Sequence, residues 1–339
     1  MNLLHHTRNL ANKLLAPFSV ALVPAEKPRW LRRKIVTAQV GRYSIQVPGT
    51  SPIATHYSRY PDHSGHLGRL TSLLKKKFPG LGAIDIGANV GDTACIMKSA
   101  EDIPLLCIEG DDFIFGFLER NLRQFQNTTA HKMFLGEKSG LLAVSLDKSG
   151  WNTTLIPDKA GTGPKIKIVS LDDFLAGQTE VAHFKLVKID TEGFDCSIIR
   201  GAKKFIQQVH PVITFEYNRE NMDTIGEPGL DTLFMLADLG YSDITFHDPF
   251  GRLLCSATLA DRSLIRDLHD FADGKHPSIY YYDLTLFHES DDDVAQAFVA
   301  MERRWRAAGQ TNEELHHHEK RHQIPGKNDR EKAGLHNCS

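Results

Sequence analysis

Residues 83–93 read AIDIGANVGDT. Ala83, Ile84 and Ile86 make a short buried strand, and the chain then turns through Gly87 and Gly91 into a helix. Glycine at these positions lets the backbone turn sharply and approach a ligand where a Cβ would clash. Asp85 sits at the strand's end, and Glu109 closes the next apolar run, PLLCIE (104–109). A glycine turn between strand and helix, followed about 20 residues later by an acid that accepts ribose hydroxyls, is how a doubly wound sheet holds an adenosine.

Spacing inside the turn narrows the ligand. A dinucleotide fold uses G-x-G-x-x-G, which lays a pyrophosphate against helix N–H groups. Here the pattern is D-x-G-x-N-x-G, with a carboxylate ahead of the first glycine and only two glycines. That suits a ligand with an amino-acid moiety, because Asp85 can meet an ammonium directly or through water. S-adenosylmethionine is such a ligand.

Composition excludes several classes. Lys and Arg number 40 against 42 Asp and Glu, so no global basic field favours nucleic acid. The five cysteines (95, 107, 196, 255 and 338) are scattered, odd in number and without a C-x-x-C pair. This argues against a disulfide framework or zinc site and fits a reducing cytosol. No run reaches the ~18 apolar residues of a membrane span. With 339 residues the chain can bury a sizeable core, as one large α/β domain or two small ones.

Before residue 61 the sequence reads as an N-terminal extension. Residues 1–30 hold no acid before Glu26, and Pro17 breaks the apolar stretch 14–23, unlike a signal peptide. A helix packed on the domain is expected, with a weak peripheral membrane contact through Arg32, Arg33 and Lys34 as the alternative. KIVTAQV and YSIQV read as short strands. Residues 65–77 then place Leu67, Leu70, Leu73 and Leu74 on one helical face.

From 83 onward strands and helices alternate. Strands are predicted over 83–86, 104–109, 130–135, 184–189, 211–215, 243–246 and 281–287. Helices are predicted near 92–100, 113–125, 197–207, 230–239, 263–271 and 291–306. Extra β segments at 140–146 and 165–169 flank a loop containing Trp151, Asn152 and Thr153, placed to cover a substrate. The expected fold is α/β: a Rossmann-like, seven-stranded, mostly parallel sheet with helices on both faces and an antiparallel last strand. The domain is bounded at 61–308. Residues 309–339 are nearly all polar and read as a disordered tail.

The second chemical stretch is KIDTEG (188–193), at the end of the 184–189 strand. Ligands in such sheets bind outside the carboxyl ends of strands, where Asp190 and Glu192 stand. Two carboxylates there need partners; as structural groups, one caps the next helix and the other pairs with Lys188 or Arg200. As functional groups, they meet the reacting end of the cofactor or take a proton from a hydroxyl. Glu216, in FEYN at the end of the next strand, joins them. Of the nearby histidines, His183 and His210 read as structural, and His247 alone is placed for a catalytic role.

DIGANVGDT, IEGDDFIFGFLERNL, VSLDDFL, KLVKIDTEGFDCSIIRGAKKFI and PVITFEYN, in that order, resemble the FkbM family of S-adenosylmethionine-dependent methyltransferases over about residues 80–250. The resemblance implies a class I methyltransferase fold and transfer of a methyl group, usually to oxygen. It implies a cofactor site of Asp85, Gly87, Ala88, Asn89, Gly91, Asp92 and Thr93, with Glu109 as the ribose-binding acid beside Gly110, and Asp190. Asp190 and Glu192 match the family's acidic pair; with Glu216, from the strand-end reading, they make the expected catalytic set, with no metal. Many members have E-P where this chain has Glu109-Gly110, a departure expected to loosen the loop without removing the carboxylate.

The expected enzyme is thus a cytoplasmic methyltransferase using S-adenosylmethionine on a hydroxyl of a small molecule or a glycan- or lipid-type acceptor, with no nucleic-acid partner. A non-catalytic S-adenosylmethionine-binding or protein-interaction module is the alternative. Two further enzyme readings are Mg²⁺ held by Asp190, Glu216 and Asn218, and a nicotinamide dehydrogenase. The missing third glycine speaks against the dehydrogenase, and the absence of an N/D-P-P-Y/F run speaks against nucleic-acid methylation.

Overall fold

The computed structural model describes residues 34–147, 154–158, 161–178, 181–273 and 279–322. The expected N-terminal helix and its membrane contact, the loop residues Trp151, Asn152 and Thr153, and the chain beyond 322 lie outside these residues.

A hairpin comes first, β1 (Ile35–Val40) and β2 (Tyr43–Pro48). Helices α1 (Ile53–Arg59) and α2 (Gly65–Lys77) follow. The glycine turn then links β3 (Gly82–Ile86) to α3 (Asp92–Ala100), and β4 (Leu105–Glu109) leads into α4 (Asp112–Leu122). β5 (Thr128–Lys132) ends one residue before β6 (Phe134–Leu135). The single strand expected at 130–135 is therefore two, because the chain leaves one sheet for another at Met133. β6 joins β7 (Gly140–Asp147), β8 (Thr154–Pro157) and β9 (Lys165–Val169) in a four-stranded sheet of order β6-β9-β7-β8.

Beyond α5 (Leu171–Leu175), β10 (Phe184–Ile189) falls where the sequence placed it. The helix expected over 197–207 is two pieces, α6 (Asp195–Arg200) and α7 (Lys203–Val209), broken at Gly201. At Gly201 the backbone passes so close to Gly136 that a Cβ would overlap its carbonyl oxygen. β11 (Val212–Tyr217), α8 (Arg219–Ile225), α9 (Gly229–Asp238), β12 (Tyr241–His247), β13 (Leu253–Thr258), α10 (Arg262–Phe271) and β14 (Tyr282–His288) complete the domain. Helix α11 runs Asp292–His322, past the end expected at Arg306.

The main sheet has the order β13-β12-β14-β11-β10-β3-β4-β5. β5, β4, β3, β10 and β11 are mutually parallel, and β14 inserts antiparallel between β11 and β12. Seven of the eight strands, all but β13, form the expected mostly parallel sheet with its antiparallel last strand. The eighth, β13, is a correction to the predicted count: it pairs antiparallel with β12 at the edge. Chain order runs outward from β3 to β5 on one side and from β10 to β11 on the other. The carboxyl ends of β3 and β10 therefore border a switch point, where such sheets bind ligands.

Strand alternation divides the interior into two cores. Ile84, Ile86, Leu106, Ile108, Val187 and Ile189 pack with α6, α7 and α9 on one face. Ala83, Leu105, Cys107 and Leu186 pack with the hairpin, α2, α3, α4 and the first turns of α11 on the other. Asp85 and Lys188 are opposite each other in the β3–β10 register and turn towards this second face.

Candidate active site

A cleft of about 360 Å³ opens above the ends of β3, β4, β10 and β11. Gly87, Asn89, Asp92, Thr93, Glu109, Gly110, Asp190, Glu192 and Glu216 line it, so the turn, Glu109 and the KIDTEG carboxylates border one space. Asp85, Ala88 and Gly91 support the turn without lining the cleft.

Gly87 has φ +73°, and a Cβ there would overlap the carbonyl oxygen of Asp190. This close approach locks the end of β3 to the end of β10. Asn89, also at positive φ (+47°), donates its N–H to Glu109 Oε2 at 3.1 Å, and Asp111 N–H donates to Oε1 at 2.8 Å. Burial raises the Glu109 carboxyl above its usual range, and the N–H groups of Asp111 and Asn89 pull it back. Each carboxylate oxygen accepts more than one hydrogen bond, so Glu109 keeps acceptor capacity towards the cleft. The loop after it is not slack. The Phe134 ring packs where a Gly110 Cβ would stand, and Asp111 caps α4 through the N–H groups of Phe113 and Ile114. The expected loosening is corrected: glycine at 110 makes room for an aromatic ring.

Asp85 is fully buried. It accepts from Thr93 Oγ1 at 2.7 Å, and its other oxygen lies 3.6 Å from Lys188 Nζ. Its task is to position the turn rather than to touch a ligand. The alternation of Asp85 with Ile84 and Ile86 carried that signal, since it points the carboxylate away from the face they share. Lys188 Nζ also lies 3.3 Å from Asp190. Burial opposes its charge, yet Asp190, Asp85 and Asp92 hold the ammonium above its ordinary value. Asp92 takes the forward position in the turn. Burial lifts it to about 6 against the pull of Lys188 and of the Tyr57 hydroxyl, which donates to it at 3.0 Å.

Around Asp190 the acids crowd. Glu192, at φ +54°, accepts from the Asn221 amide at 2.9 Å. Asp195 accepts from Thr191 and Gly193, tying the turn; burial and then Asp190 lift it to about 7. Burial, followed by Asp190, Glu192, Asp195 and Asp283, drives Glu216 well above its ordinary value. Its Oε1 accepts from the Asn218 amide at 3.2 Å. Asp283, opposite it in the register, is pushed up to about 8 by burial and by Asp190. Among the described residues no group of three or more His, Cys, Asp or Glu is placed to hold a metal ion.

His247 does not reach this site. It is fully buried, stacked 4.5 Å from His66 and 3.8 Å from Glu302, because the last residue of β12 turns its side chain under α2 and α11. The facing wall comes instead from residues that the sequence reading did not single out: His56, Tyr57, His63, Phe250, Tyr280 and Tyr281. Their signal was compositional: HYSRYPDHSGH (56–66) crowds three histidines and two tyrosines, and 280–282 is YYY.

Residues 85–242 match the family model described as Methyltransferase FkbM domain. This segment is an FkbM methyltransferase domain. The match spans the glycine turn, Glu109 and the acidic edge of the cleft, and ends inside β12. A comparison with curated proteins finds no match. Among solved structures, a methyltransferase FkbM from Methylobacillus flagellatus KT is 14% identical, over 69% of this chain and 51% of its own, with a TM-score of 0.39. This chain thus spans about half the length of that protein. The plantazolicin methyltransferase BamL, solved with a triazolic desmethylPZN analog and SAH, is 12% identical over 69% of this chain and 88% of its own, with a TM-score of 0.38. The METTL16 methyltransferase domain is 13% identical over 83% and 78%, with a TM-score of 0.37.

Proposed function

We propose that the protein is an S-adenosylmethionine-dependent O-methyltransferase whose acceptor is a hydroxyl of a small molecule or of a glycan- or lipid-type molecule. The observation that carries this is Glu109, held at the cleft by two backbone N–H groups with acceptor capacity left for vicinal ribose hydroxyls. Next to it, Asn89 and Asp92 border the space above the turn, and Asp190 supplies a carboxylate for the cationic end of the cofactor. Bound there, S-adenosylmethionine supplies a methyl group activated by its sulfonium. The chain aligns and desolvates two reactants, and such positioning contributes on the order of 7–11 kcal/mol at best.

Carboxylates dominate the cleft, and Lys188, the one lysine lining it among the described residues, is already shared between Asp85 and Asp190. That charge pattern favours an uncharged acceptor and disfavours a polynucleotide. Cys95, Cys107, Cys196 and Cys255 are free thiols, which supports the cytoplasm as the place of reaction. Among the described residues no helix is long and apolar enough to cross a membrane.

The test pairs calorimetry with labelling. The protein should bind S-adenosylmethionine and S-adenosylhomocysteine but not a nicotinamide nucleotide. With isotope-labelled S-adenosylmethionine and cell extract, mass spectrometry should find a labelled methyl ether. Cofactor binding without transfer to any extract component would favour the non-catalytic module.

A further inference from the structure

Two imidazoles in the cleft wall come from outside the family-matched segment. His56 belongs to α1 and His63 to the loop before α2. Their ring centroids are 4.1 Å apart at 76°, edge to face, and Tyr57 lies 5.5 Å from His63. Both histidines line the cleft. Nε2 of His56 and Nδ1 of His63 are buried and have no hydrogen-bond partner among the described residues. Buried ring nitrogens are nearly always paired, because water is no longer there to satisfy them. An orphan pair in a cleft wall marks where a bound molecule brings its own polar group.

The carboxylates at the opposite edge each have a protein partner. Asp190 is paired with Lys188, Glu192 receives the Asn221 amide, and Asp92 receives the Tyr57 hydroxyl. Glu216 is pushed well above its ordinary value by burial and by Asp190, Glu192, Asp195 and Asp283, and it accepts from the Asn218 amide. We propose that His63, braced edge-on by His56, is the base that takes the hydroxyl proton of the methyl acceptor. This rests on the methyl-transfer reading above. The acceptor's O–H bond breaks and its proton passes to the ring nitrogen of His63. A lone pair of that oxygen forms the new C–O bond, and the electron pair of the broken C–S bond stays on sulfur. The imidazolium then returns its proton to water.

The charges around His63 fit this task. Burial and then His56 hold its imidazole down at about 4, while Asp190 and Asp248 pull the other way; His56 is itself held down by burial and Arg59. His63 is therefore neutral across physiological pH and free to accept. A weak base suffices, because the attacking oxygen becomes strongly acidic once it carries the methyl group, and the proton leaves late.

The test uses isotope-labelled S-adenosylmethionine and the extract fraction that the unaltered protein labels. His63→Gln should lower kcat about 10²–10⁴-fold, while calorimetric affinity for S-adenosylmethionine stays within about twofold. Added imidazole restoring turnover to His63→Gly supports the assignment. Independently of turnover, ring-labelled histidine NMR with S-adenosylhomocysteine bound should show the His63 titration moving up from about 4 in His56→Gln. A folded, cofactor-binding His63→Gln that keeps more than roughly a tenth of wild-type turnover overturns the proposal. So does a His63 titration indifferent to His56→Gln. A wild-type protein that labels nothing in the extract instead overturns the methyl-transfer reading itself.

Discussion

The wall at the strand ends and the wall facing it reach the same cleft by different routes. On the first, Gly87, Asn89 and Asp92 follow β3, Glu109 ends β4, and Asp190 and Glu192 follow β10, all inside the FkbM domain. These groups are fixed by the backbone: positive φ at 87, 89 and 192, carboxylates clasped by N–H groups, and a lysine lodged between two acids. The facing wall has His56, Tyr57 and His63 ahead of the domain and Phe250, Tyr280 and Tyr281 behind it. It is made of rings that pack on one another, such as Tyr60 against Phe250 at 5.2 Å. Steric and electrostatic locks tolerate little change, whereas packed rings accept alternatives of similar shape. The rigid wall suits a constant cofactor and the aromatic wall a particular acceptor.

The hardest blow to the rigid wall should be Gly87→Val. A β-branched residue at φ +73° whose Cβ overlaps the Asp190 carbonyl is expected to abolish cofactor heats in calorimetry and lower stability by about 3 kcal/mol or more. Normal binding of S-adenosylmethionine by this variant would break the contrast.

Lys188→Met should follow, at about 3–5 kcal/mol in denaturant unfolding, since it strands the fully buried Asp85 without its cation. Adding Asp85→Asn should recover much of that loss. A double variant no better than the single one would show that Lys188 acts mainly through Asp190.

A smaller effect sharpens the electrostatic side. Asp92, Asp195 and Asp283 are raised to about 6, 7 and 8 in the folded chain, above the unfolded carboxyl value. Each therefore binds a proton in the folded state over a range where the unfolded chain has lost it. The stability this confers is full below about pH 4 and fades as pH rises through the folded values. Asp283→Asn should be neutral near pH 4 and increasingly stabilising as pH rises towards about 8. Thermal unfolding at the two pH values checks it, and equal shifts at both would refute the burial argument.

The mildest change should be Tyr57→Phe on the aromatic wall. It removes the hydroxyl bonded to Asp92 but keeps the ring, at about 1 kcal/mol in stability. With one hydrogen bond fewer, Asp92 should titrate above about 6, which carboxyl NMR can follow. A loss as large as that of Lys188→Met would erase the distinction between the walls.

Much of the rigid wall was legible because its information is local. A strand, a glycine turn and an acid at the next strand end are written within one βαβ unit, and β10, α2 and α3 appear with the boundaries that alternation and helical period dictate. Three features escaped because they depend on contacts distant in sequence. Gly110 reads as a weakened loop until the Phe134 ring is seen filling its Cβ position. His247 reads as a free group at a strand end until His66 and Glu302 close over it. The aromatic wall joins segments some 200 residues apart, and composition alone does not say that HYSRYPDH and YYY meet.

By itself the amino-acid sequence determined the alternation of strands and helices, the turn that only glycine can make at residue 87, and the residue types of an adenosine site, because these follow from neighbours along the chain. Tertiary structure alone decided which carboxylates share Lys188, which are pushed above the ordinary carboxyl range, and which rings face them. Those outcomes depend on burial and on charges brought close by the strand order, and neither exists until the sheet has assembled.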